Sequence, residues 1–308
     1  MLNNLIKHLP TVVKKRLVAA LHPYMKTEYK YIVRQEERRL LEGKPILVTG
    51  ATGAIGFATC LKLGAQGGIV GVAGRSEEKL RQTMSQLQAL IPEGKFIQVI
   101  LDVTNEDQIK ESIKAFAASC NGLIYGLVNN AGGGERKRKA VLWELPTEVI
   151  DEVIDTNLRG SMLCAKYAIP FMLPYRAGKI VNLCSVMGLN GKEQMTSYSA
   201  SKSGIIGFTK ALALECGPYQ ICVNSVAPGM VWQRQLDRLP GDKDTVTNAL
   251  HRYGYTDEVA SVIAFLLSEE ANYVTGQTIA VDEGRSIGLK DNEHKKLLTE
   301  LCEHSARP

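Results

Sequence analysis

Residues 46–56 read ILVTGATGAIG, a short apolar run that ends in three glycines, Gly50, Gly53 and Gly56, before helical spacing takes over through about Gln66. The run fits a strand, and the glycines let the backbone turn tightly and approach a bound group closely. A helix opening directly after them presents free N–H groups and the positive end of its dipole, both suited to a pyrophosphate. Strand before and helix after are what make a glycine-rich string credible as a dinucleotide site, here through Gly50, Thr52, Gly53, Ala54, Ile55 and Gly56. No Gly-Lys-Ser/Thr follows, so a P-loop for nucleoside triphosphates is not supported.

Outward from this stretch the alternation continues. Apolar runs at 68–74 (GIVGVAG), 95–102 (KFIQVILD), 125–132 (YGLVNNAG), 178–185 (GKIVNLCS), 221–229 (ICVNSVAPG) and 277–284 (QTIAVDEG) are separated by helix-length segments such as Glu77–Leu90 and Asn105–Cys120. Runs apolar throughout, with helices between them, predict a parallel sheet covered on both faces. The expected architecture is α/β, a doubly wound parallel sheet of about seven strands in one domain spanning 43–285. A helical, basic extension over 1–42 precedes it and a polar tail over 286–308 follows.

Charge is concentrated in the extension. Residues 1–44 hold ten lysines and arginines against four glutamates, whereas the rest holds 27 against 28. A neutral body argues against nucleic acid as a partner. Leu17, Val18 and Leu21 beside Lys14, Lys15 and Arg16 suit weak peripheral association with a membrane, or packing on the domain or a neighbouring subunit. No apolar stretch reaches the roughly 18 residues of a spanning helix, and the first residues lack the order of a signal peptide. With 45% apolar and 22% charged residues the chain is not of the disordered class. Seven scattered cysteines without a Cys-x-x-Cys pair predict a reducing, cytoplasmic setting without disulfides, and no metal site is expected.

The second run ends Ala73-Gly74-Arg75-Ser76. An acid at that tip would hold a ribose 2′-hydroxyl, whereas an arginine suits a 2′-phosphate. Arg75 and Ser76 therefore predict NADP, with NAD disfavoured. Asp102 and Val103 at the end of the third run are placed to hold the adenine, and Asn129, Ala131 and Gly132 to close on the cofactor from the fourth.

Tyr198 and Lys202 lie four residues apart in a segment of helical spacing, on one face. An ammonium beside a phenol favours the phenolate, which makes tyrosine a workable acid or base near neutral pH. Ser185 ends the fifth run, where an open sheet keeps its ligand crevice, and Asn157 precedes it in Asp-Thr-Asn-Leu-Arg-Gly.

TGATGAIG (49–56), Asp102-Val103, NNAG (129–132), Asn157, Ser185, YSASK (198–202), NSVAPG (224–229) and VDEG (281–284), in this order, resemble the short-chain dehydrogenase/reductase family in its compact, Rossmann-like branch. The resemblance implies a nicotinamide-dependent oxidoreductase that moves a hydride between NADP(H) and a carbonyl or secondary alcohol. It implies Tyr198 as proton donor or acceptor, Ser185 orienting the substrate oxygen, Lys202 on the nicotinamide ribose and Asn157 holding a water in the proton relay. Pro228 and Gly229 would border the carboxamide, and a homodimer or homotetramer would form through the helices carrying Asn157 and Tyr198 and through the last strand. The likeness reaches to 3-oxoacyl-carrier and sugar-ketone reductases, so the partner is a small-molecule substrate. Gly133–Lys139, with four cations, suits an anionic handle on it or else a solvated loop. Two departures stand out: Ala54 occupies a position where the compact branch has glycine, and Met230-Val231-Trp232-Gln233 replaces a threonine that contacts the carboxamide. The spacing of Gly50, Gly53 and Gly56 is that of nucleotide-sugar epimerases and dehydratases, which makes such an enzyme the alternative; a non-catalytic NADP-binding protein is another.

Overall fold

The computed structural model describes residues 39–133, 140–231, 249–250 and 252–287. By compactness the chain divides into Met1–Arg34 and Gln35–Pro308, and every described residue belongs to the second unit. Most of the predicted extension, most of the tail, five of the residues in Gly133–Lys139 that carry its charge, and Trp232 lie outside the described residues.

Seven strands form one sheet: β1 (Pro45–Val48), β2 (Ile69–Gly74), β3 (Lys95–Ile100), β4 (Gly126–Asn129), β5 (Gly178–Leu183), β6 (Ile221–Pro228) and β7 (Thr278–Val281). All neighbours run parallel, in the order β3-β2-β1-β4-β5-β6-β7. Each run is thus a strand, and all but the second end short of their apolar strings at the carboxyl end. At 49–50, 101–102, 130–132 and 184–185 the chain leaves the ladder and turns over the sheet edge. The prediction of strands buried throughout holds at the centre: β1, β4 and β5 are wholly buried. It fails at the two edges, where Lys95, Gln98 and Ile100 of β3 and Ala280 of β7 are exposed. An edge strand has one neighbour, so less of its surface is covered.

Helices cover both faces. On one lie α1 (Ala54–Ala65), α2 (Glu77–Leu90) and α8 (Thr256–Leu267), with α1 packed on α8. On the other lie α3 (Glu106–Ser119), α5 (Gly160–Ala168) and α7 (Thr196–Cys216), whose Ile109, Ile113, Phe116, Cys164 and Leu212 share a core with Leu47, Leu127, Ile180 and Val223. Two shorter helices, α4 (Thr147–Ile154) and α6 (Val186–Asn190), stand at the carboxyl end of the sheet. The predicted helix 105–120 is one residue shorter at each end. Asn105 caps α3, its side chain accepting the Gln108 N–H at 3.0 Å, which satisfies a donor that the first helical turn leaves free. Phe116 packs on β2 where Gly71 has no side chain; a Cβ there would lie 2.7 Å from the ring.

β1 and β4 adjoin although two strands separate them in sequence, so their crossovers leave in opposite directions. A crevice opens outside the carboxyl ends of such a pair. Thr49–Gly56 and Asn129–Gly133 both emerge there.

Candidate active site

The first turn is built by glycine and threonine. Gly50 adopts a φ of +62°, and a Cβ on it would stand 2.7 Å from the Ala131 Cα, so only glycine lets the two turns meet. Gly56 is as tightly placed: its Cβ would lie 2.3 Å from the Gly50 carbonyl oxygen. Gly53 differs, since the same atom stands 3.4 Å away and φ is −82°. It precedes α1, and Ala54 is the first helical residue, half-buried. The Thr49 hydroxyl accepts the N–H groups of Asn130 and Ala131 at 3.1 and 3.0 Å, and the Asn130 amide donates to the Thr49 and Gly50 carbonyls at 2.9 Å. Thr49 and Asn130 thus lock the two turns together. Neither was singled out from the sequence, although both stand inside the strings that were.

Arg75 is exposed at the tip of β2, and Ser76 caps α2 by accepting the Lys79 N–H at 3.4 Å. At the tip of β3 the Asp102 carboxylate accepts the Thr104 N–H at 3.0 Å and the Thr104 hydroxyl at 2.8 Å. Burial works to raise the Asp102 pKa, but these two bonds and the Arg75 charge outweigh it and hold the carboxyl below its ordinary range. Val103 is buried against Gly160, whose Cβ would stand 2.8 Å from the Val103 carbonyl oxygen.

Asn129 and Ala131 part ways. The Asn129 side chain turns into the core, donating to the Ser161 carbonyl at 3.2 Å and to the Asn182 side chain at 2.8 Å, while Asn182 donates to Thr209 at 3.0 Å. The backbone from Asn130 to Gly133 continues along the crevice.

Asn157 is fully buried in a π-helical turn, Asp155–Arg159, between α4 and α5. Such wide turns displace a side chain from the regular helical face and recur at functional sites. Its amide pairs reciprocally with Gly133, accepting that N–H and donating to that carbonyl, both at 2.9 Å, and it donates to the Ser201 hydroxyl at 3.1 Å. Ser201 in turn donates to the Tyr198 carbonyl at 2.8 Å. Gly132 makes room for this: a Cβ there would stand 2.5 Å from the Asn157 Oδ1. Ser201, three residues after Tyr198 on one helix face, is a link that the spacing alone would have allowed us to find.

Tyr198 and Lys202 both lie on α7. The phenol ring is half-buried against Leu145, Val149 and Val153. The Lys202 ammonium stands 5.8 Å from the ring centroid and donates to the Leu183 carbonyl at 2.6 Å. Burial pushes its pKa down to about 8. Ser185 caps α6, its hydroxyl oxygen accepting the Met187 N–H at 3.2 Å, which leaves the O–H to donate. α6 docks on α7 through Gly188, whose carbonyl accepts the Ser203 hydroxyl at 2.7 Å; a Cβ on Gly188 would lie 2.7 Å from the Lys202 backbone. At the far side Gly229 brings β6 to β7, its N–H on the Val281 carbonyl at 3.0 Å.

The donor set suits a dinucleotide: a glycine turn before a helix N-terminus, an exposed guanidinium at the second strand, and a buried ammonium at the fifth. Together with the phenol at the carboxyl end of a doubly wound sheet, these features define an α/β oxidoreductase. A family model described as enoyl-(acyl carrier protein) reductase matches residues 50–286. Curated relatives include the 3-oxoacyl-(acyl-carrier-protein) reductase FabG of Thermotoga maritima, 40% identical over 247 residues and covering 79% of this chain and 98% of that one. Nodulation protein G of Rhizobium meliloti is 37% identical over 251 residues, covering 80% and 98%. The chain belongs to the short-chain dehydrogenase/reductase family. Among solved structures, levodione reductase superposes with a TM-score of 0.76 at 29% identity, over 81% of this chain and 100% of the other. A 3-oxoacyl-(acyl-carrier protein) reductase from Brucella melitensis with bound NAD does so with 0.73 at 31%, over 82% and 94%. Among the described residues no helix is long and apolar enough to cross a membrane.

Proposed function

We propose that this chain is an NADP(H)-dependent reductase of ketones, with 3-oxoacyl thioesters as its substrate class. The observation that carries the reading is the Lys202 ammonium, buried, tethered to the Leu183 carbonyl and 5.8 Å from the Tyr198 ring. When bound, the reduced nicotinamide supplies a hydride to the carbonyl carbon. Everything else falls to side chains. The Tyr198 phenol delivers a proton to the carbonyl oxygen, and the Lys202 charge favours the phenolate left behind. The Ser185 O–H, its oxygen held by the Met187 N–H, donates to the same substrate oxygen and offsets the charge growing there. Asn157, through Gly133 and Ser201, ties the cofactor-side turn to the backbone of Tyr198 and keeps the two in register.

The cofactor would lie along the Gly50–Gly56 turn, with Arg75 and Ser76 on a 2′-phosphate, Asp102 and Val103 beside the adenine, and Lys202 on the ribose. Arg75, exposed and without an acid at its strand tip, supports NADP over NAD. The substrate class rests on what the relatives are named for. The test is purified protein with a 3-oxoacyl thioester and either NADPH or NADH, following absorbance of the reduced nicotinamide. Stoichiometric loss of NADPH, faster than of NADH, is expected. Thioester conversion without net oxidation would indicate an epimerase-type reaction, and binding of NADPH without turnover of any ketone would defeat the reading.

A further inference from the structure

We propose that Lys179 and Cys222, at the amino end of the sheet, form a peroxide-responsive pair that closes into a covalent S–N cross-link between β5 and β6. The two are register partners on adjacent parallel strands, so their side chains leave the same face of the sheet. The Lys179 Nζ stands 3.5 Å from the Cys222 Sγ. Lys179 is only 3% exposed, and what meets its terminal nitrogen is this sulfur rather than a carboxylate. Buried charges are ordinarily paired, so a buried amine aimed at a thiol is unusual. Cys222 is also the one cysteine among the six described that is not buried, so a small oxidant reaches it first. Glu269, whose charge reaches the adjoining Tyr125, is engaged by Lys44 at 3.2 Å. Nearby Tyr125, whose pKa burial pushes up to about 12, stays a neutral phenol and does not compete.

The chemistry balances with a peroxide as oxidant. The Cys222 sulfur takes one peroxide oxygen as the O–O bond breaks; the thiol is oxidised to a sulfenic acid and the peroxide is reduced to water. The lone pair of the Lys179 amine then attacks sulfur. The S–O bond breaks, hydroxide leaves with one amine proton as water, and the S–N bond forms without further oxidation. A thiol reductant reverses it by attacking sulfur and releasing the amine. Ser185 and Gly229 lie at or beyond the opposite ends of these strands, so closure leaves the crevice as it is and cross-links the foot of the sheet.

Full-length protein treated with hydrogen peroxide, digested with trypsin and mapped by mass spectrometry tests this. The expected product joins the peptides of Lys179 and Cys222, two hydrogens lighter than their sum, is not cut after Lys179 and disappears with dithiothreitol. Its formation should raise the melting temperature, and Lys179→Arg should give several-fold more dimedone-trapped sulfenic acid at Cys222. The proposal is overturned if Cys222 proceeds to sulfinic acid while Lys179 stays fully cleavable, or if buried cysteines oxidise before Cys222. Both outcomes are read on the unsubstituted protein, whatever the variant does.

Discussion

Lys44 and Lys202, near opposite ends of the sheet, are treated in opposite ways. At the amino end Lys44 pairs with Glu269 at 3.2 Å and lies 4.4 Å over the Tyr125 ring, in a pair that solvent reaches from both sides. At the carboxyl end Lys202 is 5% exposed, bonds to a neutral carbonyl and has its pKa pushed down to about 8. An exposed ion pair is screened and contributes little. A desolvated ammonium without a carboxylate keeps its charge available for whatever enters the crevice. The lesson is that net charge says less about a lysine than the solvent and partners around it.

The sharpest way to break this contrast is Tyr198→Phe, which keeps the ring on Leu145 and Val149 and removes only the hydroxyl. We expect turnover to fall by about 10²–10⁴-fold with cofactor binding unchanged, measured by steady-state kinetics beside a cofactor titration; full activity would sink the proton-donor role. Arg75→Ala tests the outer part of the same end. Loss of charge-assisted bonds worth about 1.5–3 kcal/mol predicts NADPH binding weakened by roughly 10–100-fold, with NADH binding unmoved. The glycines sharpen the comparison from the backbone side. Gly56→Ala, whose methyl meets the Gly50 oxygen, should cost about 1–3 kcal/mol in denaturant unfolding. Gly53→Ala should stay within about 1 kcal/mol, since its Cβ meets that oxygen at an ordinary 3.4 Å.

pH probes Lys202 directly. Its folded pKa of about 8 lies below the ordinary 10.5, so between those values the unfolded chain holds more protons. Stability should therefore rise with pH across that window relative to Lys202→Met. Cofactor affinity should fall several-fold as the ammonium discharges through about 8; an affinity flat across that range would contradict the buried charge. The smallest effect belongs to the amino end. Lys44→Ala or Glu269→Ala should cost less than about 1 kcal/mol in thermal unfolding and leave turnover unchanged.

Much of the fold was legible because a central parallel strand must be apolar on both faces, so β1, β4, β5 and β6 stand out as runs. The edges were less so: Lys95, Gln98 and Ile100 face solvent for want of a second neighbour, which no local pattern states. At the site, the four-residue spacing of Tyr198 and Lys202 was readable because a helix repeats. The partition of NNAG was not: Asn129 and Asn130 are the same residue type, yet one turns into the core toward Asn182 and the other binds the Thr49 and Gly50 carbonyls.

Local periodicity and the order of short motifs thus determined the element types and the family, and brought Tyr198 and Lys202 to one helix face, because those depend on neighbours along the chain. Tertiary structure alone decided which glycines are sterically required, that Asn157 meets Gly133 and Ser201, that Lys202 is desolvated, and that Lys179 faces Cys222. Each of these depends on distances between segments dozens of residues apart, and only the packed sheet sets them.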